Sequence, residues 1–248
     1  MKVLVVDIGG TNIKMLASGQ ELPRKFPSGK QMTPLEMVHG VQAATKDWEY
    51  EAISIGFPGP VLCEQPMTEP VNLGPGWMGF DFAAAFHMPV KILNDAAMQA
   101  LGSYNGGKML FLGLGTGFGA TVILDGIVEP LELGRFRYKK STLEDYVGKR
   151  GLDRLGRKKW QRHVEYIVER LISALKPDDV ILGGGNAKKL KGLPPGTRLG
   201  DNANAFVGGL RLWEDGVHRP RAFAWSPNNA SQKSNSDQEA KHPVEDTP

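Results

Sequence analysis

Two glycine clusters, each set between two apolar runs, constrain this chain more than anything else in it. The first is Asp7-Ile8-Gly9-Gly10-Thr11-Asn12-Ile13-Lys14, preceded by the apolar run Lys2–Val6 and returning as Ile13–Ala17. The second is Leu112-Gly113-Leu114-Gly115-Thr116-Gly117-Phe118-Gly119, between Met109–Leu112 and Ala120–Leu124. The flanking runs are short and rich in β-branched residues, so they read as buried strands, and each cluster reads as a tight turn between them. Glycine in such a turn lets backbone N–H groups face a phosphate at close range. A dinucleotide fingerprint would lead the turn into a helix, and a Walker motif would place Lys-Ser or Lys-Thr after the glycines; neither pattern is present. One such turn is a hairpin and nothing more. Two, each opening its own α/β unit, specify a pair of phosphate loops.

The rest of the chain follows that division. Leu22–Phe26, Ala52–Gly56 and Val90–Leu93 read as further strands of a first unit, residues 1–106. Its helices are Pro34–Lys46, with Thr33 as N-cap and Glu36 at the capping-box spacing, then Phe80–His87 and Asn94–Tyr104. A proline- and glycine-rich loop over Val61–Gly79 is long enough to suggest a functional role. The second unit, residues 107–214, holds the helix Gly156–Lys176, with Trp160, Val164, Ile167, Leu171 and Leu175 on one face. A strand over Asp179–Leu182 runs into Gly183-Gly184-Gly185, and a last helix covers Ala203–Trp213. Gly208-Gly209 inside that helix costs roughly 1 kcal/mol per residue relative to Ala, which points to close packing against another backbone or to a ligand. Residues 215–248 form a tail that reads as disordered from about residue 226, with Phe223 and Trp225 able to pack onto the body.

Composition excludes several classes. A single cysteine, Cys63, rules out an internal disulfide and any multi-cysteine zinc site. No stretch approaches the roughly 18 apolar residues of a membrane span, and the N-terminal apolar run is too short for a signal peptide. The expectation is a cytoplasmic protein. The net charge of +3 conceals a segment, Arg135–Arg162, with eleven Lys/Arg against three acids. It reads either as a solvated helix face or as a track for a polyanion.

The chemistry-bearing residues sit at the turns. Asp7, at a strand end, can hold Mg²⁺ through water, with Gly9, Gly10, Thr11, Asn12 and Lys14 offering donors to phosphates. Gly115, Thr116, Gly117 and Gly119 form the second loop. Gly184, Gly185 and Asn186, where a strand closes and a helix opens, can admit an adenine and ribose against bare backbone. Asp95, where a strand meets a helix, is placed to accept a hydroxyl proton during phosphoryl transfer. The alternative is that Asn94 or Asp95 simply caps the helix. The isolated histidines show no ligand spacing.

In order, the motifs DIGGTNIK, GFPGPV, NLGPGW, LNDA, LGLGTGFG, ELGR and ILGGGN resemble those of the ROK family (repressors, open reading frames, kinases), over about residues 2 to 214. Within the family the chain is most similar to the bacterial polyphosphate-type glucokinases. The resemblance implies an actin-like (ribonuclease H-like) two-lobed α/β fold, with sugar and phosphoryl donor meeting in the cleft. It implies Mg²⁺, ATP or polyphosphate as donor, and transfer to the 6-hydroxyl of glucose or a related hexose. It makes Asp95 the general base and gives Asn72, Asn94 and Glu132 the sugar hydroxyls. It allows a homodimer and implies no membrane or nucleic-acid partner, since a repressor of the family needs a helix-turn-helix module ahead of the first glycine motif. The chain departs from the pattern twice. The family's three-cysteine, one-histidine zinc cluster is missing, as it is in polyphosphate-type members. Arg135 also stands where the family usually has a sugar-holding histidine, which leaves open a kinase for another sugar or a sugar-binding protein without turnover.

Overall fold

In a computed structural model of the protein, residues 1–216 are described. The expectations for a disordered tail and for Phe223 and Trp225 lie outside them. The first half runs β1 (Val3–Ile8), β2 (Asn12–Ala17), β3 (Arg24–Pro27), α1 (Pro34–Ala44), β4 (Ala52–Phe57), β5 (Val61–Leu62), β6 (Gln65–Pro66), α2 (Phe82–Phe86), β7 (Val90–Asn94) and α3 (Asp95–Ser103). The second runs β8 (Lys108–Leu114), β9 (Phe118–Leu124), β10 (Ile127–Leu131), a 3₁₀ turn (Leu133–Arg135), β11 (Arg137–Tyr138), β12 (Ser141–Thr142), α4 (Leu143–Val147), α5 (Lys149–Leu175), β13 (Asp179–Gly183), a 3₁₀ turn (Ala187–Lys189), β14 (Arg198–Leu199) and α6 (Asn204–Arg211).

The two halves repeat one sheet. The strand orders are β3-β2-β1-β4-β7 and β10-β9-β8-β13-β14. In each, three antiparallel strands continue into two that pair parallel to the first. Side chains alternate across a strand, and that alternation places the core. On β1, Leu4, Val6 and Ile8 point into a cluster with α1 and α2, while Val3 and Val5 point the other way. On β8, Leu110, Leu112 and Leu114 pack against α4 and α5, while Met109 and Phe111 point away. The inward sets share one core with α3 and α6, which lie between the sheets.

The α3–α6 crossing explains the costly glycines. A Cβ on Gly208 would sit 1.8 Å from Met98 O, and one on Gly102 1.8 Å from Asn204 O. A Cβ on Gly209 would sit 2.3 Å from Val5 Cγ1. Packing is therefore the reason for them. Ser54, buried in β4, fixes α6 to the first sheet: its Oγ donates to Gly209 O at 2.6 Å and accepts from Trp213 Nε1 at 2.9 Å.

Local signals met their structures with some corrections. Thr33 and Glu36 form the reciprocal capping box. The 61–79 segment is not wholly loop but begins with the β5–β6 hairpin. The helix predicted from Gly156 starts there: Gly156 (φ 71°) is non-helical and separates it from a shorter helix before it, the two together spanning Lys149–Leu175. The third glycine cluster opens only a 3₁₀ turn, Ala187–Lys189, rather than a helix.

Candidate functional site

The first glycine turn joins β1 to β2 and the second joins β8 to β9. In the first turn, Gly9 N–H donates to Asn12 O at 3.1 Å, closing the hairpin. Ser28 braces it from β3's end, its N–H on Thr11 O at 3.0 Å and its Oγ–H on Gly9 O at 2.6 Å. Asp7 is paired with Gly56 on β4, which is paired with Leu93 on β7; Asp95 begins α3 two residues beyond Leu93. Lys14 Nζ lies 3.6 Å from Asp7 Oδ2. Burial raises the Asp7 pKa, and Lys14 only partly opposes that.

The helix cap is Asn94. Its Oδ1 accepts from Ala96 N–H at 3.0 Å and Ala97 N–H at 3.2 Å, and its Nδ2 donates to Gly59 O at 3.0 Å. With Asn94 at the cap, Asp95 is left as the first helical residue, and its Oδ1 accepts from Ala96 N–H at 2.7 Å. The Asp95 side chain keeps partial access to solvent. Desolvation and the neighbouring Asp7 charge push its pKa up to about 7, against the Ala96 hydrogen bond. A carboxylate poised near neutrality can accept a proton from an alcohol without being protonated throughout the working range.

The second turn reaches the same place. A Cβ on Gly119 would be 2.7 Å from Ala96 Cβ, so β9 starts against the residue that follows Asp95. The turn's carbonyls are tied back into the second half. Gly115 O accepts from Asn186 Nδ2 at 2.7 Å and from Lys149 N–H at 3.1 Å, and Leu114 O accepts from Asn186 N–H at 2.9 Å. Asn186 is thus buried behind the loop. Gly184 (φ 78°) has no room for a side chain, since a Cβ would stand 2.7 Å from Leu114 O.

The sugar candidates come from both halves. Asn72 packs directly on the first turn, its Cβ 2.9 Å from where a Gly10 Cβ would be. Glu132 and Arg135 flank a 3₁₀ turn seated on the second loop, with the Gly134 Cβ position 2.9 Å from Phe118 O. Both side chains are exposed and form an ion pair, Arg135 Nε to Glu132 Oε2 at 3.5 Å.

Sequence reasoning missed Ser28 and, more importantly, Glu144. One Glu144 oxygen lies 3.0 Å from the Gly117 Cβ position and 3.4 Å from that of Gly134, between the second loop and the Glu132–Arg135 turn. Its other oxygen pairs with Arg150 at 3.0 Å. Nothing local marks Glu144, which stands in an ordinary helix first turn. The basic segment also divides. Lys149 and Arg150 are paired with Asp153, Glu144 and Asp145, whereas Arg157, Lys158, Lys159 and Arg162 lie exposed along α5.

Among the described residues no group of three His, Cys, Asp or Glu converges. The available set at the first turn is one buried carboxylate beside a phosphate-sized turn. That suits Mg²⁺, which keeps most of its waters and takes one or two carboxylates together with phosphate oxygens.

A sheet of this topology used twice, with a glycine turn at the head of each copy, is the actin-like fold. The chain belongs to the ROK family, which it matches over residues 3–130. It is 26% identical over 206 residues to a polyphosphate glucokinase of Mycobacterium leprae, covering 74% of this chain and 63% of that one. The chain thus spans less than two thirds of that relative's length. Among solved structures it is similar to an inorganic polyphosphate/ATP-glucomannokinase from Arthrobacter sp. strain KM (TM-score 0.71, 22% identity, 84% of this chain and 96% of that one). It is also similar to a ROK family transcriptional regulator homologous to the E. coli MLC protein (TM-score 0.69, 16% identity, 85% of this chain and 77% of that one). No helix among the described residues is long and apolar enough to cross a membrane.

Proposed function

We propose that the protein is a sugar kinase that transfers a phosphoryl group from ATP or polyphosphate to the 6-hydroxyl of glucose or a related hexose. The observation that carries this reading is Asp95, a desolvated carboxyl beside Asp7 with its pKa near 7 and the second glycine loop packed on Ala96. The hexose lies over Asn72, Asn94 and Glu132. Asn94 uses one amide hydrogen on Gly59, and the second remains for a hydroxyl. Asp95 accepts the proton of the 6-hydroxyl as its oxygen attacks the terminal phosphorus in line with the leaving oxygen. Gly9, Gly10, Thr11, Asn12 and Lys14 on one side, and Gly115, Thr116, Gly117 and Gly119 on the other, hold the donor phosphates. Gly184 and Gly185 border the nucleotide when ATP is the donor. Asp7 would hold Mg²⁺ through water, and that ion would supply charge neutralisation of the transferring group. The exposed row Arg157, Lys158, Lys159 and Arg162 suits a longer polyanion. The two lobes divide near residue 106, and the site of action is the cytoplasm.

A second reading has its own observation. Arg135 holds Glu132 in an ion pair, which draws a sugar-binding carboxylate away from neutral hydroxyls. That arrangement favours either a weakly active sugar-binding protein or a different, anionic sugar. A coupled assay with glucose, mannose and N-acetylmannosamine, each with ATP and with polyphosphate, separates these. Turnover of a neutral hexose supports the first reading. Binding without turnover of any sugar supports the second.

A further inference from the structure

Beside α4 and the first turns of α5 lies an open cavity of about 480 Å³, lined by Lys140, Ser141, Asp145, Tyr146, Arg150 and Arg154. It is separate from the exposed α5 row that suits a long polyanion. We infer that this cavity binds a phosphate-bearing anion and that its occupancy weakens donor binding at the second loop. The inference rests on the kinase reading of the cleft, because it is the donor loop that the cavity acts upon.

The link is Arg150. Its Nη2 stands 3.0 Å from Glu144 Oε1 and 3.0 Å from Asp145 Oδ1, so one guanidinium serves both the cavity wall and the carboxylate that lies against Gly117. Asp145 is the one acid in the lining, and its charge is offset by Arg150 Nη2 at 3.0 Å from Oδ1, while its Oδ2 accepts from the Ser141 and Thr142 hydroxyls. Arg154 is fixed over the Tyr146 ring at 4.9 Å, with Nη2 donating to Asp145 O at 2.9 Å. Lys140 is exposed at the turn joining β11 to β12. Two forked guanidinium groups and an ammonium match the terminal oxygens of a phosphate monoester, which bidentate arginine recognises well.

An arriving dianion competes with Glu144 for Arg150. When Arg150 turns to the anion, the Glu144 carboxylate is left uncompensated against Gly117, where donor phosphates would lie, and repels them. The hexose 6-phosphate formed by the proposed reaction carries the required group, as does inorganic phosphate, so the cavity would act as a feedback site that raises the donor KM.

The test uses the full chain with its cleft filled by hexose and a non-hydrolysable ATP analogue. Inorganic phosphate and hexose 6-phosphate are then titrated calorimetrically. Saturable binding is expected in the wild type, weakened about tenfold or more in Lys140→Ala and in Arg154→Ala. Those variants should keep wild-type turnover with ATP in anion-free buffer, while losing the several-fold rise in donor KM that added anion causes in the wild type. Binding of both anions, or of hexose 6-phosphate alone, supports the site. Weaker anion binding with the donor analogue present than with hexose alone is expected from the reciprocal coupling. Equal binding in wild type and variants, or no binding under either condition, overturns the site. Because binding is read without turnover, a protein that transfers no phosphate under any condition would refute the kinase reading and leave the binding result to stand or fall by itself.

Discussion

The two glycine turns occupy the same position in two sheets of the same strand order, yet they are differently equipped. The first carries its own charges: Asp7 raised by burial, Lys14 at 3.6 Å, and Asp95 two strands away. The second has no acid of its own, and its carbonyls are tied down by Asn186 and the start of α5. The carboxylate nearest it, Glu144, comes from α4 and is balanced by Arg150. On the proposed function, the first half carries the proton and metal chemistry and the second holds phosphates on a tied-down backbone. On this view, damage in the first half should appear in turnover, and damage in the second in donor affinity.

The largest expected effect is at Asp95. Asp95→Asn keeps the shape and removes the base, so turnover should fall at least about 10²-fold with sugar affinity little changed. Wild-type turnover should rise as pH passes through about 7, the region to which Asp95 is raised. Stability gives the opposite sign. A carboxyl near 3.9 when unfolded and near 7 when folded makes the folded state bind the extra proton between those values. Stability from this group is therefore lost as pH rises from about 4 to about 7. Asp95→Asn should melt higher than wild type at pH 8 and by a smaller margin at pH 5, as read by calorimetry. Equal turnover in mutant and wild type would remove Asp95 from the mechanism and with it half of the contrast.

Asp7→Ala tests the other charged member of the first half. The Mg²⁺ concentration for half-maximal rate should rise by roughly tenfold or more, since the one carboxylate of the set is gone. An unaltered magnesium titration would move the metal elsewhere. Arg135→His probes the exception, a second-half residue expected to act on sugar. Releasing Glu132 and restoring an acceptor should tighten glucose binding about 10- to 100-fold, the value of one or two charge-assisted hydrogen bonds. Unchanged or weaker binding would make Arg135 the proper ligand of an anionic sugar. Reversing Lys158 and Lys159 to Glu should raise the polyphosphate KM by about tenfold at low salt and spare ATP, because a polyanion along the exposed α5 row releases counterions and ATP in two backbone loops does not. Equal effects on both donors would return that row to a solvated face.

What the sequence disclosed follows from how far each signal reaches. Strands and turns around Asp7 and Gly115 were legible because glycine between β-branched runs is a local signal, as was the Thr33 capping box. The cost of Gly208 and Gly209 announced close packing, but their partners, Gly102 with Met98 and Val5, are a tertiary fact. β10 went unassigned because Pro130 interrupts an already half-exposed edge strand. The short helix ahead of Gly156 went unassigned because Lys149–Leu155 carries more charge than apolar periodicity. Glu144 was invisible for the strongest reason: only the fold sets a helix first-turn acid between Gly117 and Gly134.

The smallest expected effect is the most specific to the second half. Asn186 was read as a neighbour of the nucleotide, and its side chain donates to Gly115 O at 2.7 Å from a buried position. In Asn186→Ala, Gly115 O keeps its bond from Lys149 N–H, so the loop is loosened and not released. One neutral hydrogen bond contributes about 1 kcal/mol, or roughly fivefold in an equilibrium. The donor KM should therefore rise about fivefold for ATP and for polyphosphate alike, with turnover at saturation and the magnesium requirement unchanged. A change confined to ATP would show Asn186 acting on the base instead of the loop. A fall in turnover with donor KM intact would break the contrast itself, because it would place catalytic positioning in the half that is otherwise built only to hold phosphates.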